Sequence, residues 1–390
     1  LWRFSFNLNQ AEEFLRQRLS VAITLDDLRR YAVARSFFKP TNLKTALHKM
    51  GYVQADPIRA PARAQDLILR QRVRNYMAGE LERRYASLDV EEDFFINYGY
   101  VSRALYSLMH PRTDATALPA ERKRARLLLD FVRQRGEVHP REVDEYFSHG
   151  KVTNYWGGSS NATTHLMDAM HYRGMLRVVR REKGIRIYAP RDHLRESITA
   201  AERRTRIDAL VDTVVRIYAP LPGPSLTYYV RRLRYAVPQW SDQLTDALKR
   251  AKQRLSHARV NVDSRAGVGV DWYFPADEDP LAASPPEVVR LLAPFDPLVH
   301  DRARFALLWD WEYRFEAYTP VTKRKLGYYA MPLLWRDRVI GWANVVVKNG
   351  ALECDIGYVE PQPRERAFKT ELEAELDRLR TFLALKPATD

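Results

Sequence analysis

Cysteine is almost missing from this 390-residue chain. The one present, Cys354, can form neither an internal disulfide nor a thiolate zinc site, which fits a reducing cytoplasm. The nine histidines form no HxxxH or HxH pair, so no metal or other cofactor is expected from Cys/His chemistry. No cluster of carboxylates suited to two metals is evident, which argues against a nuclease. Apolar runs are only a few residues long, far short of the ~20 that span a bilayer. No signal peptide or lipidation motif is seen; the chain begins at Leu1 rather than Met, so a preceding targeting segment is left open.

Anionic side chains are outnumbered. Lys and Arg total 63 against 49 Asp and Glu, a net charge of +14, and the isoelectric point is near 9.7. Most of the cations are arginines, which pair bidentately with phosphate. A polyanion is therefore the expected partner. Nucleic acid ranks ahead of a membrane surface because no basic amphipathic anchor helix stands out. A genome rich in arginine codons is the competing explanation.

The length predicts several domains. Residues 1–118 read as mostly helical: "NQAEEFLRQRL" has a helical rhythm, and Thr24 is placed to cap the helix that follows. Thr41 or Asn42 then caps a helix whose Leu43, Ala46, Leu47 and Met50 share a face, and Gly51 ends it. "YVQAD" leaves as a short extended segment. In residues 119–195, three helices and a basic hairpin turning at Gly184 give the winged-helix order, and residues 196–278 repeat it more weakly, with a turn near Gly267. Residues 279–390 read as a small β-domain with a closing helix and turns at Gly327, Asp337 and Asn349-Gly350. The fold class is thus α+β: tandem winged helices followed by a C-terminal β-domain.

Within the extended segment, Gln54 and Asp56 lie two residues apart and so on one side of a strand, able to converge on one atom. Arg59, Arg63, Arg70, Arg72 and Arg74 follow. A carboxylate there is either a salt-bridged turn residue ahead of Pro57 or a reagent.

The chain resembles the AlkZ/YcaQ-like DNA glycosylases. The resemblance is carried by "QAD" at 54–56, "LLAPFDPLVHDRARF" from Leu291 and "YRFEAYTPVTKRKLGYYAMPLL" from Tyr313, and it spans essentially the whole chain. Gln-x-Asp alone is a weak signal; the two long C-terminal blocks carry most of it. The Asp form looks like the YcaQ branch. Relatives of that branch often show an aromatic-Ala-His run, whereas "FINYGYVSRAL" keeps Tyr98 and Tyr100 but no histidine, a departure that bears on substrate preference.

The resemblance implies a monofunctional glycosylase that hydrolyses the N-glycosidic bond of N7-alkylated purines and unhooks interstrand crosslinks. Asp56 would activate water, and Gln54 would orient it through its oxygen and nitrogen. Expected phosphate contacts are the arginines after Asp56, chiefly Arg59 and Arg63, with Lys44 and Lys49 on the helix before it. Arg180, Arg181, Lys183 and Arg186 would contact DNA from the wing. A hairpin "YTPVTKRKLGYY" would probe a groove with Pro320 and Val321 as wedge and Lys323, Arg324 and Lys325 on phosphates. Asp301 and Arg302 form a second tier, with Asp296 and His300 read as structural. The partner would be double-stranded DNA with alkylated or crosslinked purines, met by a monomer in the cytoplasm at the nucleoid, without a membrane. The alternative is a non-catalytic tandem winged-helix DNA-binding regulator.

Overall fold

The computed structural model describes residues 22–112, 119–147, 151–153, 159–191, 198–261 and 269–385. The expected helix at "NQAEEFLRQRL" and the turn near Gly267 lie outside them. Helices and small sheets alternate along the chain, as the α+β reading requires.

Local signals set the first elements. Thr24 and Asp27 form a reciprocal capping box on α1 (Leu25–Ser36), and the Asn42 side chain caps α2 (Leu43–Met50) through Thr45 N. Gly51, at φ 67°, ends α2 and starts β1 (Tyr52–Gln54). After α3 (Ala64–Leu69), β2 (Val90–Phe94) and β3 (Tyr98–Ser102) complete a three-stranded sheet in the order β1-β3-β2, followed by α4 (Arg103–Met109). This hairpin corrects the expectation of a mostly helical N-terminal segment. Its first strand carries Glu91, Glu92 and Asp93, all buried, which a solvent-facing reading of acids hides.

The second unit has α5 (Pro119–Arg135), α6 (Pro140–Phe147), the short pair β4 (Lys151–Thr153) and β5 (Ser159–Asn161), α7 (Ala162–Tyr172), then β6 (Leu176–Glu182) and β7 (Ile185–Pro190). Its wing turns at Lys183-Gly184, both at positive φ, as a two-residue hairpin turn demands. The third has α8 (Ala200–Tyr218), β8 (Leu221–Pro222), α9 (Gly223–Arg232), α10 (Leu244–Arg254), β9 (Ser256–Asn261) and β10 (Gly269–Phe274), with strand order β8-β10-β9.

The last sheet is antiparallel, β11 (Val289–Leu291), β12 (Met331–Trp335), β13 (Arg338–Lys348) and β14 (Ala351–Tyr358) in that order. It turns at Arg336-Asp337 and Asn349-Gly350 as expected. Between β11 and β12 lies α11 (Arg302–Trp309), and α12 (Arg366–Phe382) closes the structure.

These segments share cores. Val53, Leu67 and Ile68 of the first pack in one buried cluster with Leu128 and Val178 of the second and with Leu291, Leu333 and Phe368 of the last. Buried Glu375 on α12 accepts from Gln71 at 3.1 Å and from the Leu291 amide at 2.9 Å and pairs with Arg70, tying the closing helix to the segment that follows Asp56.

Candidate active site and nucleic-acid interface

β1 is one of the two edge strands of its sheet, and its register with β3 pairs Gln54 with Gly99. The absence of a side chain at Gly99 permits that approach. A Cβ there would lie 2.3 Å from the Val53 carbonyl oxygen and 2.6 Å from the Tyr52 ring. Gln54 is buried, and its Oε1 accepts from Asn97 Nδ2 at 3.0 Å. Asn97 sits in the β2–β3 turn and contacts His300 Nε2 at 3.1 Å; His300 Nδ1 in turn meets the Tyr229 hydroxyl at 2.7 Å. Burial and then the charges of Arg302, Arg232 and Arg304 hold His300 down at about 3, so the imidazole is neutral at physiological pH.

Asp56 is half-buried two residues past the end of the strand. Its Oδ1 accepts from the Ile58 amide at 2.9 Å, an Asx turn, and its own amide donates to Gln65 Oε1. It joins no ion pair among the described residues, despite the arginines that follow it in sequence. Burial raises its carboxyl above the usual range, against a smaller opposing effect of the Ile58 bond. Ala55, Ile58, Phe295 and Phe315 supply apolar packing in this region. The Asp56 charge is felt by Tyr318 and Tyr329, and after burial it is the next cause raising both phenols. The Tyr329 hydroxyl is buried with no hydrogen-bond partner among the described residues. Tyr318, by contrast, is 80% exposed.

The arginines divide sharply. Arg72 is buried and bonds Asp296 through two nitrogens at 2.8 and 3.1 Å, and also the carbonyls of Ser36 and Ile68. Arg70 is held by Glu375. Both are joints of the fold, which corrects their expected phosphate role; Asp296 is structural as read. Arg59 and Arg74 are exposed. Arg63 pairs with Glu82, yet burial and the charges of Arg59 and Arg181 pull its guanidinium below the ordinary value. Three cations are crowded here. The wing turn abuts them: a Cβ on Gly184 would stand 3.0 Å from Arg63 Nη2.

On the wing, Arg181 is clamped on buried Glu92 at 2.6 and 2.8 Å, and Arg186 bonds Asp168 and lies 4.7 Å over the Tyr98 ring. Arg180 is more exposed but pairs with Glu137 and Glu182. Lys183 at the turn is the outward cation. Lys44 and Lys49 are exposed on α2; Lys49 stacks 5.0 Å over Phe38 and lines a different hollow, with Arg35 and Arg216.

The segment expected as a second hairpin holds no strand. It is a loop with one tight turn at Val321–Lys323, because buried Glu316 accepts the amides of Lys325, Leu326 and Gly327 at 2.9, 2.7 and 3.2 Å and ties them away from any ladder. Pro320, Val321, Lys323 and Lys325 are exposed on it, while Arg324 donates to the Thr319 carbonyl. Lys323, Lys325 and Arg302 line a groove of about 750 Å³, which Gln54 and Asp56 do not line. Asp301 caps α11, and Arg302 donates to the carbonyls of Val299 and Pro294 and lies 4.5 Å over Tyr313, so both serve the fold.

The sequence profile described as DNA glycosylase AlkZ-like matches residues 47–382. The chain belongs to the AlkZ-like DNA glycosylase family. A glycosylase role on DNA follows at that level. The solved DNA glycosylase AlkZ of Streptomyces sahachiroi is similar in fold, with a TM-score of 0.60 over 94% of this chain and 98% of that one at 14% identity. For an AlkZ-like glycosylase, the residues that sequence reading missed are Asn97, which meets Gln54, Arg232, which holds Asn97, and Tyr229, which meets His300. Only Asn97 gave a local signal, as a turn-forming residue between Ile96 and Tyr98.

Proposed function

We propose that this AlkZ-like protein is a monofunctional glycosylase acting on N7-alkylated purines in duplex DNA, with Asp56 as the base that activates water. The observation that carries the reading is the state of Asp56: a carboxylate without an ion pair, partly desolvated, on a segment whose next arginines are crowded against the wing. Alkylation at N7 leaves the purine cationic and ready to depart, so little acid catalysis is needed at the base. Asp56 takes a proton from water, the water oxygen bonds C1′, and the C1′–N9 electrons leave with the purine. Raised basicity makes the carboxylate a better acceptor once ionised, and its charge favours the oxocarbenium developing beside it.

Arg59, Arg63, Arg74 and Lys183 hold the flanking phosphates, with the other basic residues of α2 and the wing further out. A crosslinked guanine cannot swing fully out of its duplex, so unhooking requires an open site. The exposed Tyr318, Pro320 and Val321 at the loop beside Asp56 suit a wedge in a groove, with Lys323 and Lys325 on the backbone.

The test uses an N7-methylguanine duplex. Wild type releases free base and leaves an uncut abasic strand, with no borohydride-trapped adduct. Asp56→Asn binds the duplex but loses about 10²–10⁴-fold in turnover, the usual reach of general-base catalysis. Binding without release by both proteins would establish the regulator reading instead.

A further inference from the structure

Hydrogen-bond bookkeeping around Asn97 fixes which end of the Gln54 amide faces out. Arg232 can only donate. Its Nη2 bonds Asn97 Oδ1 and its Nε bonds the Ile96 carbonyl at 3.0 Å, so the oxygen of Asn97 faces the guanidinium. The nitrogen of Asn97 therefore faces Gln54 and His300. An NH2 group has two hydrogens, and one goes to each: to Gln54 Oε1 at 3.0 Å and to the lone pair of His300 Nε2 at 3.1 Å. His300 then carries its proton on Nδ1, toward Tyr229.

We infer that Asn97, anchored by Arg232, is a positioning residue that turns the oxygen of Gln54 inward and leaves its NH2 as the donor presented to the reacting groups. Gln54 Nε2 has no hydrogen-bond partner among the described residues. This departs from the expectation that the amide oxygen of Gln54 would accept from the water. It rests on the glycosylase reading for what lies opposite. There, one water donates a hydrogen to Asp56 and accepts from Gln54 Nε2, which leaves its second lone pair for C1′. Two neighbouring acceptors would take both hydrogens of that water, whereas an acceptor and a donor take one hydrogen and one lone pair.

Two substitutions separate a donor from an acceptor. Gln54→Glu keeps the shape and the bond from Asn97 but replaces the outward NH2 with oxygen. It should lose as much kcat as Gln54→Ala, about tenfold or more for one lost hydrogen bond, with KM little changed. A Gln54→Glu variant within about threefold of wild type would overturn the inference. Asn97→Asp keeps the Arg232 bond but offers oxygen to Gln54, which must turn its amide. It should lower kcat by a similar factor in the wild type and by nothing further in Gln54→Ala.

A second readout is independent of turnover. In ¹⁵N spectra of the full chain, the Asn97 side-chain amide should be protected from solvent exchange and that of Gln54 unprotected, and Asn97→Asp should protect Gln54. A Gln54 amide already protected in the wild type refutes the orientation. A wild type that releases no base, with the exchange pattern as expected, refutes the glycosylase reading and leaves the orientation standing.

Discussion

Asp56, just past one edge strand of a small sheet, and Asp93, on the opposite edge strand, are two carboxylates with opposite surroundings. Asp93 is buried and held by His110 at 2.6 Å and Arg112 at 2.7 Å. Burial alone would raise its carboxyl, but Arg112 and His110 outweigh that and hold it well below the usual range. Asp56 is less buried, meets no cation, and is raised. The protein therefore had cations available and placed them on the acid that holds the hairpin. On the proposed reading, the carboxylate left unpaired in so arginine-rich a chain is free for chemistry, and the one clamped by arginine is a fastener.

The largest way to break this comparison is Asp93→Ala. Arg112 would be left buried without its carboxylate, which should cost about 3–5 kcal/mol in denaturant unfolding. Asp56→Asn should cost no stability at neutral pH while abolishing most turnover. If the two substitutions destabilise equally, the distinction fails. Next is Gly99→Ala, where the new methyl collides with β1 backbone and the Tyr52 ring. Unfolding should become easier by about 1–3 kcal/mol, with activity lost in the folded fraction because Gln54 is displaced.

The pH dependence sharpens the contrast and has opposite signs. The Asp93 contribution is complete above the unfolded carboxylate value of about 4 and is lost as pH falls through the depressed folded value. Asp56 binds its proton more tightly in the folded state, so it erodes stability as pH rises through the unfolded value toward the raised one. Thermal melts should show Asp56→Asn gaining on wild type as pH rises through that window. The smallest expected effect is Arg59→Ala: stability within about 0.5 kcal/mol of wild type, and a log–log salt slope of duplex binding shallower by ~0.9. An unchanged slope would remove Arg59 from the phosphate contacts.

What could be read from the sequence was what short-range physics decides. Asn42 caps, Gly51 stops a helix, and Lys183-Gly184 and Asn349-Gly350 turn hairpins; the strand at Gln54, however, ends before Asp56, which turns on the Ile58 amide instead of sharing a strand side. The β2–β3 hairpin was not legible, because three consecutive acids look solvated until their partners are known. Glu91 is met by Arg103, Arg177 and Arg191, Glu92 by Arg181, and Asp93 by Arg112. Several of those arginines lie more than eighty residues away, so no local window contains the pair. Separation in sequence also concealed Asn97 and Arg232, and made Arg70, Arg72 and Arg181 look available for phosphate.

The Glu375 knot has a consequence for synthesis of the chain. Its carboxylate is the counter-ion for Arg70 and accepts from Gln71, fifteen or so residues past Asp56, yet it is translated more than three hundred residues later. A polypeptide interrupted before that point lacks both that carboxylate and the Phe382 ring that covers the Arg70 guanidinium. The ribosome must all but finish before this joint can close.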